Sequence, residues 1–266
     1  MGFFDLFRGK SKGGKTDNDG GASDDDDSNK KKKPSAAASA AAKWAEPVGS
    51  KRAQAYDRAE AIQELCKQKT PEAVEALLRR FTFSTDPSIT DQEEKDAVFE
   101  GIVAVGRDAL VPVRNFSAKA ESLSAPIRIL KEILEENELV EELVSWLGRW
   151  DTEYAKFIDP KLQILDELGE HSHAEIREAV EPFLQDASDP ARFKAVTATF
   201  AQKDAAAIGP VLALLLDEES VRIRSKIADG FAELGWEVPE DQRDAVRKVL
   251  PPQYTVDGSG LIAKRS

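Results

Sequence analysis

Cysteine and methionine occur once each in this 266-residue chain, histidine twice, and aromatic residues make up only 7% of it. The single cysteine, Cys66, cannot close an intrachain disulfide, which fits a reducing, cytoplasmic compartment. Long apolar runs are missing too: nothing approaches the roughly 18 consecutive residues of a transmembrane helix. Met1–Arg8 is too short to be the apolar region of a secretory signal. Positive charge is also in deficit, with a formal net charge of −12. Residues 1–43 carry nine Lys and Arg against seven Asp and Glu, leaving 28 against 42, or −14, for residues 44–266. The part expected to fold is therefore the acidic part. Duplex nucleic acid needs a basic footprint to displace its counterions, so no nucleic-acid partner is expected.

What is present divides into four segments. Residues 1–8 form a short apolar peptide in which Phe3, Phe4, Leu6 and Phe7 crowd together. Such a patch on a flexible tether suits docking in a partner groove, or a weak membrane contact assisted by Lys30–Lys33. Residue 6 is Leu rather than Ser or Thr, so the myristoylation pattern fails. Residues 9–43 read as a disordered low-complexity linker, with paired glycines, an Asp run, a Lys run and an Ala/Ser stretch. Residues 44–250 carry helical periodicity almost throughout, and residues 251–266 read as a C-terminal cap or tail.

The helical region resolves into twelve segments, 51–68, 71–82, 91–106, 108–120, 124–136, 137–149, 159–169, 173–186, 189–202, 204–217, 219–235 and 240–250. In the first, Ala55, Ala59, Ile62 and Cys66 fall at helical spacing, which predicts a buried face. Thr70, Asp86, Asp159 and Asp189, each followed by Pro, are the expected N-caps, while Gly106, Gly148, Gly169 and Gly235 mark stops. Helix pairs recurring at roughly 30–37 residues predict an all-α fold, an α-solenoid of about five to six antiparallel pairs behind a disordered N-terminal tail. Pro112, Pro182 and Pro210 sit among apolar residues inside helical patterns, where they are expected to bend the helix.

These features resemble the HEAT-repeat family. Ile208–Asp217 with its Pro and Leu-rich run, then Ser220-Val221-Arg222, Ala228 and Leu234-Gly235, is similar to one such unit. Pro182–Asp186 followed by Asp189–Phe193 resembles another, and Asp159–Gly169 the second helix of a third. The resemblance is specific only over residues 159–235. It implies a ladder between units at Asp186, Arg192, Asp217 and Arg222, although Arg224 competes with Arg222 because Ile223, Ile227, Phe231 and Leu234 make the better apolar stripe. It also implies that the second helix of each pair lines a concave face. Polar positions there are Arg128, Lys131, Gln163, Asp166, Lys194, Lys226 and Asp229, mixed in sign, which makes them the candidate partner-binding groove. Trp236 is either a seal between repeats or an exposed anchor for a partner.

Chemistry-bearing constellations are few. His171 and His173 are two apart, share no helix face, and read as solvated loop residues with one capping a helix. Adjacent carboxylates such as Glu135-Glu136 and Glu141-Glu142 point apart on a helix. Cys66 reads as a buried small hydrophobe. No catalytic, cofactor-binding or metal-ligating set can be named. HEAT-like bilin lyases offer no matching site here. HEAT-like DNA glycosylases use Trp and Asp in a basic groove, and Trp146, Trp150, Asp151 and Trp236 match them only loosely on an acidic chain. Trp146 and Trp150, one turn apart, are more simply helix-packing residues. The expectation is a cytoplasmic, non-enzymatic scaffold that binds a protein partner through its solenoid face. The alternatives are a peripheral membrane adaptor held by the Phe-rich peptide, or a HEAT-like enzyme.

Overall fold

The computed structural model describes residues 35–265. The Phe-rich peptide with Phe3, Phe4, Leu6 and Phe7, and most of the expected linker, lie outside the described residues. Thirteen α-helices run through the described part: α1 (Ala36–Gly49), α2 (Ala55–Gln68), α3 (Pro71–Leu78), α4 (Ser88–Val103), α5 (Leu110–Ser117), α6 (Ser124–Ile133), α7 (Glu136–Leu147), α8 (Asp159–Leu168), α9 (Ala174–Val180), α10 (Asp189–Gln202), α11 (Ile208–Asp217), α12 (Val221–Leu234) and α13 (Arg243–Val249). Short 3-10 turns lengthen several of them, including Glu181–Gln185 after α9. Each of the twelve expected segments overlaps one helix, with α4 starting three residues before its segment and α7 one before.

The helices stack in two layers. Odd-numbered helices follow one another, α1 on α3 and α3 on α5, then α7 on α9, the turn after α9 on α11, and α11 on α13. Arg114 of α5 joins Glu142 of α7 and closes the remaining step. Even-numbered helices run beside them, α2 on α4 on α6 and α8 on α10 on α12, with Lys131 of α6 bridging to Glu167 of α8 at 2.6 Å. One apolar cluster runs the length of the stack, from Val48 and Leu65 through Leu143 and Leu165 to Phe231 and Val246. This is the α-solenoid expected from the helix-pair period.

Several local expectations change. The linker does not extend to residue 43. Ser35 accepts a hydrogen bond from the Ala38 amide at 3.0 Å, and α1 begins inside the Ala/Ser stretch. Alanine is the best helix former, and packing against α2 and α3 buries Ala41 and Val48, a tertiary gain that composition does not show. In α2 the buried face is Arg58, Ala61, Ile62 and Leu65, while Ala55 and Ala59 are exposed and Cys66 is half-buried. Thr70 does cap α3, accepting from the Ala73 amide at 3.3 Å. Asp159 and Asp189 instead lie in the first turns of α8 and α10, and α4 starts only after Pro87. Pro112, Pro182 and Pro210 do not bend helix interiors. Pro112 and Pro210 fall in the first turns of α5 and α11, and Pro182 opens the turn after α9, where a missing N–H costs least.

The C-terminal end is a cap. β1 (Tyr254–Val256) and β2 (Ile262–Lys264) pair antiparallel and lie on α12 and α13. Arg243 of α13 donates to the carbonyls of Val238, Gly258 and Ser259, and Arg247 to those of Val256 and Asp257. Asp257 accepts from the amides of Ser259, Gly260 and Leu261, each at 2.9 Å, which fixes the turn.

Candidate interaction surface

The ladder between units is built from a cation near the start of an even-numbered helix. Arg192 in α10 donates to the Asp186 carbonyl in its own preceding loop at 2.9 Å and holds Glu218 of the next unit at 2.7 Å. Lys161 in α8 does the same one unit earlier, reaching the Asp151 carbonyl at 3.2 Å and the Asp186 carboxylate at 2.6 Å. Arg58 in α2 repeats it with the Ala53 carbonyl and Glu94, and Arg224 in α12 makes the first half of it, with the Glu218 carbonyl. Asp186 and Arg192 both take part in these contacts. Asp217 is exposed, and its neighbour Glu218 takes the role because its carboxylate points between the layers. Arg222 is also exposed and stacks 3.7 Å over Phe193, leaving the ladder position to Arg224. Burial pushes the Glu218 carboxyl up, but Arg192 and the amides of Ser220 and Glu219 outweigh it, so its pKa lies below the usual range.

At the N-terminal end this device becomes a buried network. Arg58 and Arg80 both hold Glu94, at 2.9 and 2.6 Å, and Arg80 also holds Asp91 at 2.7 Å, which Lys95 shares. Burial pushes the Asp91 carboxyl up. Lys95, Arg80 and the Thr85 amide reverse this and hold it well below the usual carboxylate range.

The expected partner-binding residues fall on the even-numbered layer. Arg128 and Lys131 are three apart on α6, and Gln163 and Asp166 three apart on α8, so each pair shares a face. All four line a groove of about 400 Å³ between these helices, together with Ile127 and Glu167. Each is held by a neighbouring element. Arg128 meets Asp96 of α4 at 3.2 Å and stacks 3.8 Å over Phe99. Gln163 donates to Ser122 and Ser124 and accepts from the Leu123 amide. Asp166 pairs with Lys194 of α10. Lys226 and Asp229 lie on α12, outside this groove, and Asp229 belongs to the C-terminal cap: it holds Lys264 at 2.9 Å and accepts from the Tyr254 hydroxyl at 2.8 Å. Burial and Asp229 together push Tyr254 up to about 12.

Trp236 is not an exposed anchor. It is buried against Phe200 and Phe231, with ring centroids 5.3 and 5.6 Å away, and seals a repeat junction. Trp146 is buried as expected and donates its indole N–H to Glu142 at 2.6 Å. His173 caps α9 through its ring nitrogen, accepting from the Glu175 amide. His171 is not a solvated loop residue: its ring is largely buried between Glu136 of α7 and Glu167 of α8, at 3.3 and 3.1 Å. In the Ala205–Leu216 segment the large residues Val211, Leu212, Leu214 and Leu215 are buried, and the exposed positions are mostly Ala and Gly.

A second surface was not singled out from the sequence. Between the end of α5, the end of α7 and the start of α8 lies a cavity of about 310 Å³, lined by Trp146, Trp150, Pro160 and Ile164 with Lys119 and Arg149. A neighbouring cavity of about 530 Å³, with Phe81, Phe116 and Glu121 on its walls, shares Lys119 and Ala120 with it. The loop joining α7 to α8 carries Tyr154 and Phe157, 80% and 75% exposed. Its signal in the sequence is three aromatic residues, Trp150, Tyr154 and Phe157, between the end of one helix and the Asp159-Pro160 start of the next.

Among the described residues no group of three or more His, Cys, Asp or Glu is placed to hold a metal ion, and no helix is long and apolar enough to cross a membrane. Comparison with protein-family models, with curated proteins and with solved structures finds no match to this chain.

Proposed function

We propose that this protein is a non-enzymatic scaffold, a HEAT-like solenoid that binds a protein partner across its even-numbered layer. The observation that carries the reading is the groove between α6 and α8, whose polar side chains are held in place by neighbouring helices before any partner arrives. A surface ordered in advance loses little side-chain entropy on binding, which favours recognition of a fixed shape. Stacked helix pairs present such side chains at regular intervals along the layer. The repeated contact of a helix-start cation with its own loop carbonyl and the next unit's carboxylate supports the HEAT-like assignment.

The test is quantitative co-purification of the full chain beside two variants. One is Arg128→Glu with Lys131→Glu; the other lacks residues 1–33, a cut that leaves α1 whole. Arg128 and Lys131 are about half exposed, so the charge change leaves the fold intact by circular dichroism. A stoichiometric protein partner that falls about tenfold on the first variant and stays on the second is the expected result. A partner kept by the charge variant and lost with residues 1–33 would move recognition to the Phe-rich peptide. Loss of association with anionic vesicles on the same truncation would favour the membrane adaptor.

A further inference from the structure

The cavity between the ends of α5 and α7 and the start of α8 carries cations in its lining and no carboxylate. Its walls are mostly apolar, with two tryptophans, Leu123, Pro160 and Ile164, and its charged members are Lys119 and Arg149. Neither cation has a side-chain hydrogen bond or ion pair among the described residues. Arg58, Arg80, Arg107, Arg114, Arg128 and Arg192 each hold a carboxylate, whereas Arg149, like Arg52 and Arg79, has none within reach among the described residues. Lys119 and Arg149 follow the C-terminal ends of α5 and α7, where a positive charge is favoured by the helix dipoles. That placement accounts for their sign and leaves their hydrogen-bonding capacity open. On a chain of net charge −12, an apolar hollow whose own lining bears two uncommitted cations and no carboxylate offers a local site for negative charge.

We propose that this cavity binds an acidic peptide segment, which sets an apolar side chain against Trp150 and its carboxylates against Lys119 and Arg149. The inference rests on the scaffold reading and adds a second, chemically defined site to it. Three features fit an extended peptide rather than a small ligand. Lys119 and Ala120 lie between this cavity and its larger neighbour, so a chain crossing them meets a hollow on either side. Trp150 and Pro160, both in the wall, are joined by the loop that exposes Tyr154 and Phe157, which supplies aromatic surface beside the rim. Arg149 can grip a carboxylate through two parallel N–H bonds, a geometry suited to Asp or Glu side chains. Selectivity against basic peptides follows from the same two cations.

The probe is a synthetic ten-residue peptide of Asp and Glu with one central Phe, compared with two controls: the same peptide with Lys for every acid, and one with Ser for every acid. Binding to the full chain is followed by fluorescence anisotropy and by the Trp150 indole N–H resonance, identified with Trp150→Phe. The acidic peptide is expected to shift that resonance and to bind about tenfold or more tighter than the Ser peptide. Arg149→Glu with Lys119→Glu is expected to abolish the shift, and Arg149→Lys with Lys119→Arg to keep binding within about threefold. Both cations are exposed, so these changes leave the helices intact. Equal binding of the acidic and Ser peptides overturns the proposal, as does binding that survives the double charge reversal. A Trp150 shift produced by phosphatidylserine vesicles but by no peptide overturns it in favour of a lipid surface. Failure of the peptide while the even-layer partner still responds to Arg128→Glu and Lys131→Glu removes this site and leaves the scaffold reading standing. The reverse outcome removes that reading alone.

Discussion

Arg192 and Arg222 looked equivalent in the sequence, one repeat apart and each just inside a helix, yet one is a structural rung and the other lies on the surface. The apolar stripe Ile223, Ile227, Phe231 fixes which way α12 faces, and with it Arg224 rather than Arg222 turns toward the loop of Glu218. Position within a motif did not show this, whereas the helical face did. Lys161 was harder to read, since a lysine with 1% of its side chain exposed contradicts the usual surface preference, and only its pairing with a fully buried Asp186 makes it tolerable. Lys161→Ala is therefore expected to cost about 3 kcal/mol in urea denaturation, because Asp186 is left buried without its cation. Asp217→Ala should cost under about 0.5 kcal/mol, and Arg222→Ala, which loses only its stacking on Phe193, about 0.5–1 kcal/mol. Equal losses at Lys161 and Arg222 would contradict a ladder that runs through Lys161 and not Arg222. A second residue-scale effect comes from Gly101, where an added Cβ would lie 2.1 Å from the Cys66 sulfur. Gly101→Ala should destabilise by about 1–3 kcal/mol, and Cys66→Ala introduced with it should recover most of the loss. Thermal melts of the two single variants and the double variant measure this directly.

Among the elements, helices were legible where apolar spacing and breakers agreed, as in α10, α11 and α12, and Gly235 at φ +63° ends α12 where the sequence placed a stop. What stayed hidden depends on tertiary contact. The start of α1 at Ala36 relies on α2 and α3 for burial, and Arg58 is core only because Glu94 arrives from α4. The expected groove residues of α6 and α8 did come together, since i and i+3 spacing on neighbouring helices fixes a common side. The cavity at Trp150 was not foreseen because its walls come from three separate helix ends. The C-terminal hairpin carries its own pH signature. The folded pKa of Tyr254 is pushed up to about 12, above the unfolded value of about 10, so the phenol stabilises the fold fully below about pH 10 and ceases to do so as pH rises through 12. Urea midpoints compared at pH 8 and pH 11.5 should fall less steeply for Tyr254→Phe than for the parent chain. Identical slopes would remove the Tyr254–Asp229 contact from the account of the cap.

Across the whole molecule, the contact is repeated most closely in the last units, where Arg192 and Arg224 each reach a carbonyl of the preceding loop, and this gives that part of the chain a transferable step. Arg192 stands six positions after Asp186, and Arg224 six after Glu218, while both donate to the carbonyl of that earlier acidic residue. A second copy of residues 187–218 spliced in directly after Glu218 would therefore find its arginine already in register with the junction, and its own glutamate in register with Arg224. The product should be a longer rod with the same ends, raised in molar ellipticity at 222 nm by the added helices and larger in hydrodynamic radius. A splice offset by a few residues should aggregate. The architecture thus carries its own ruler, one whose unit can be counted out again.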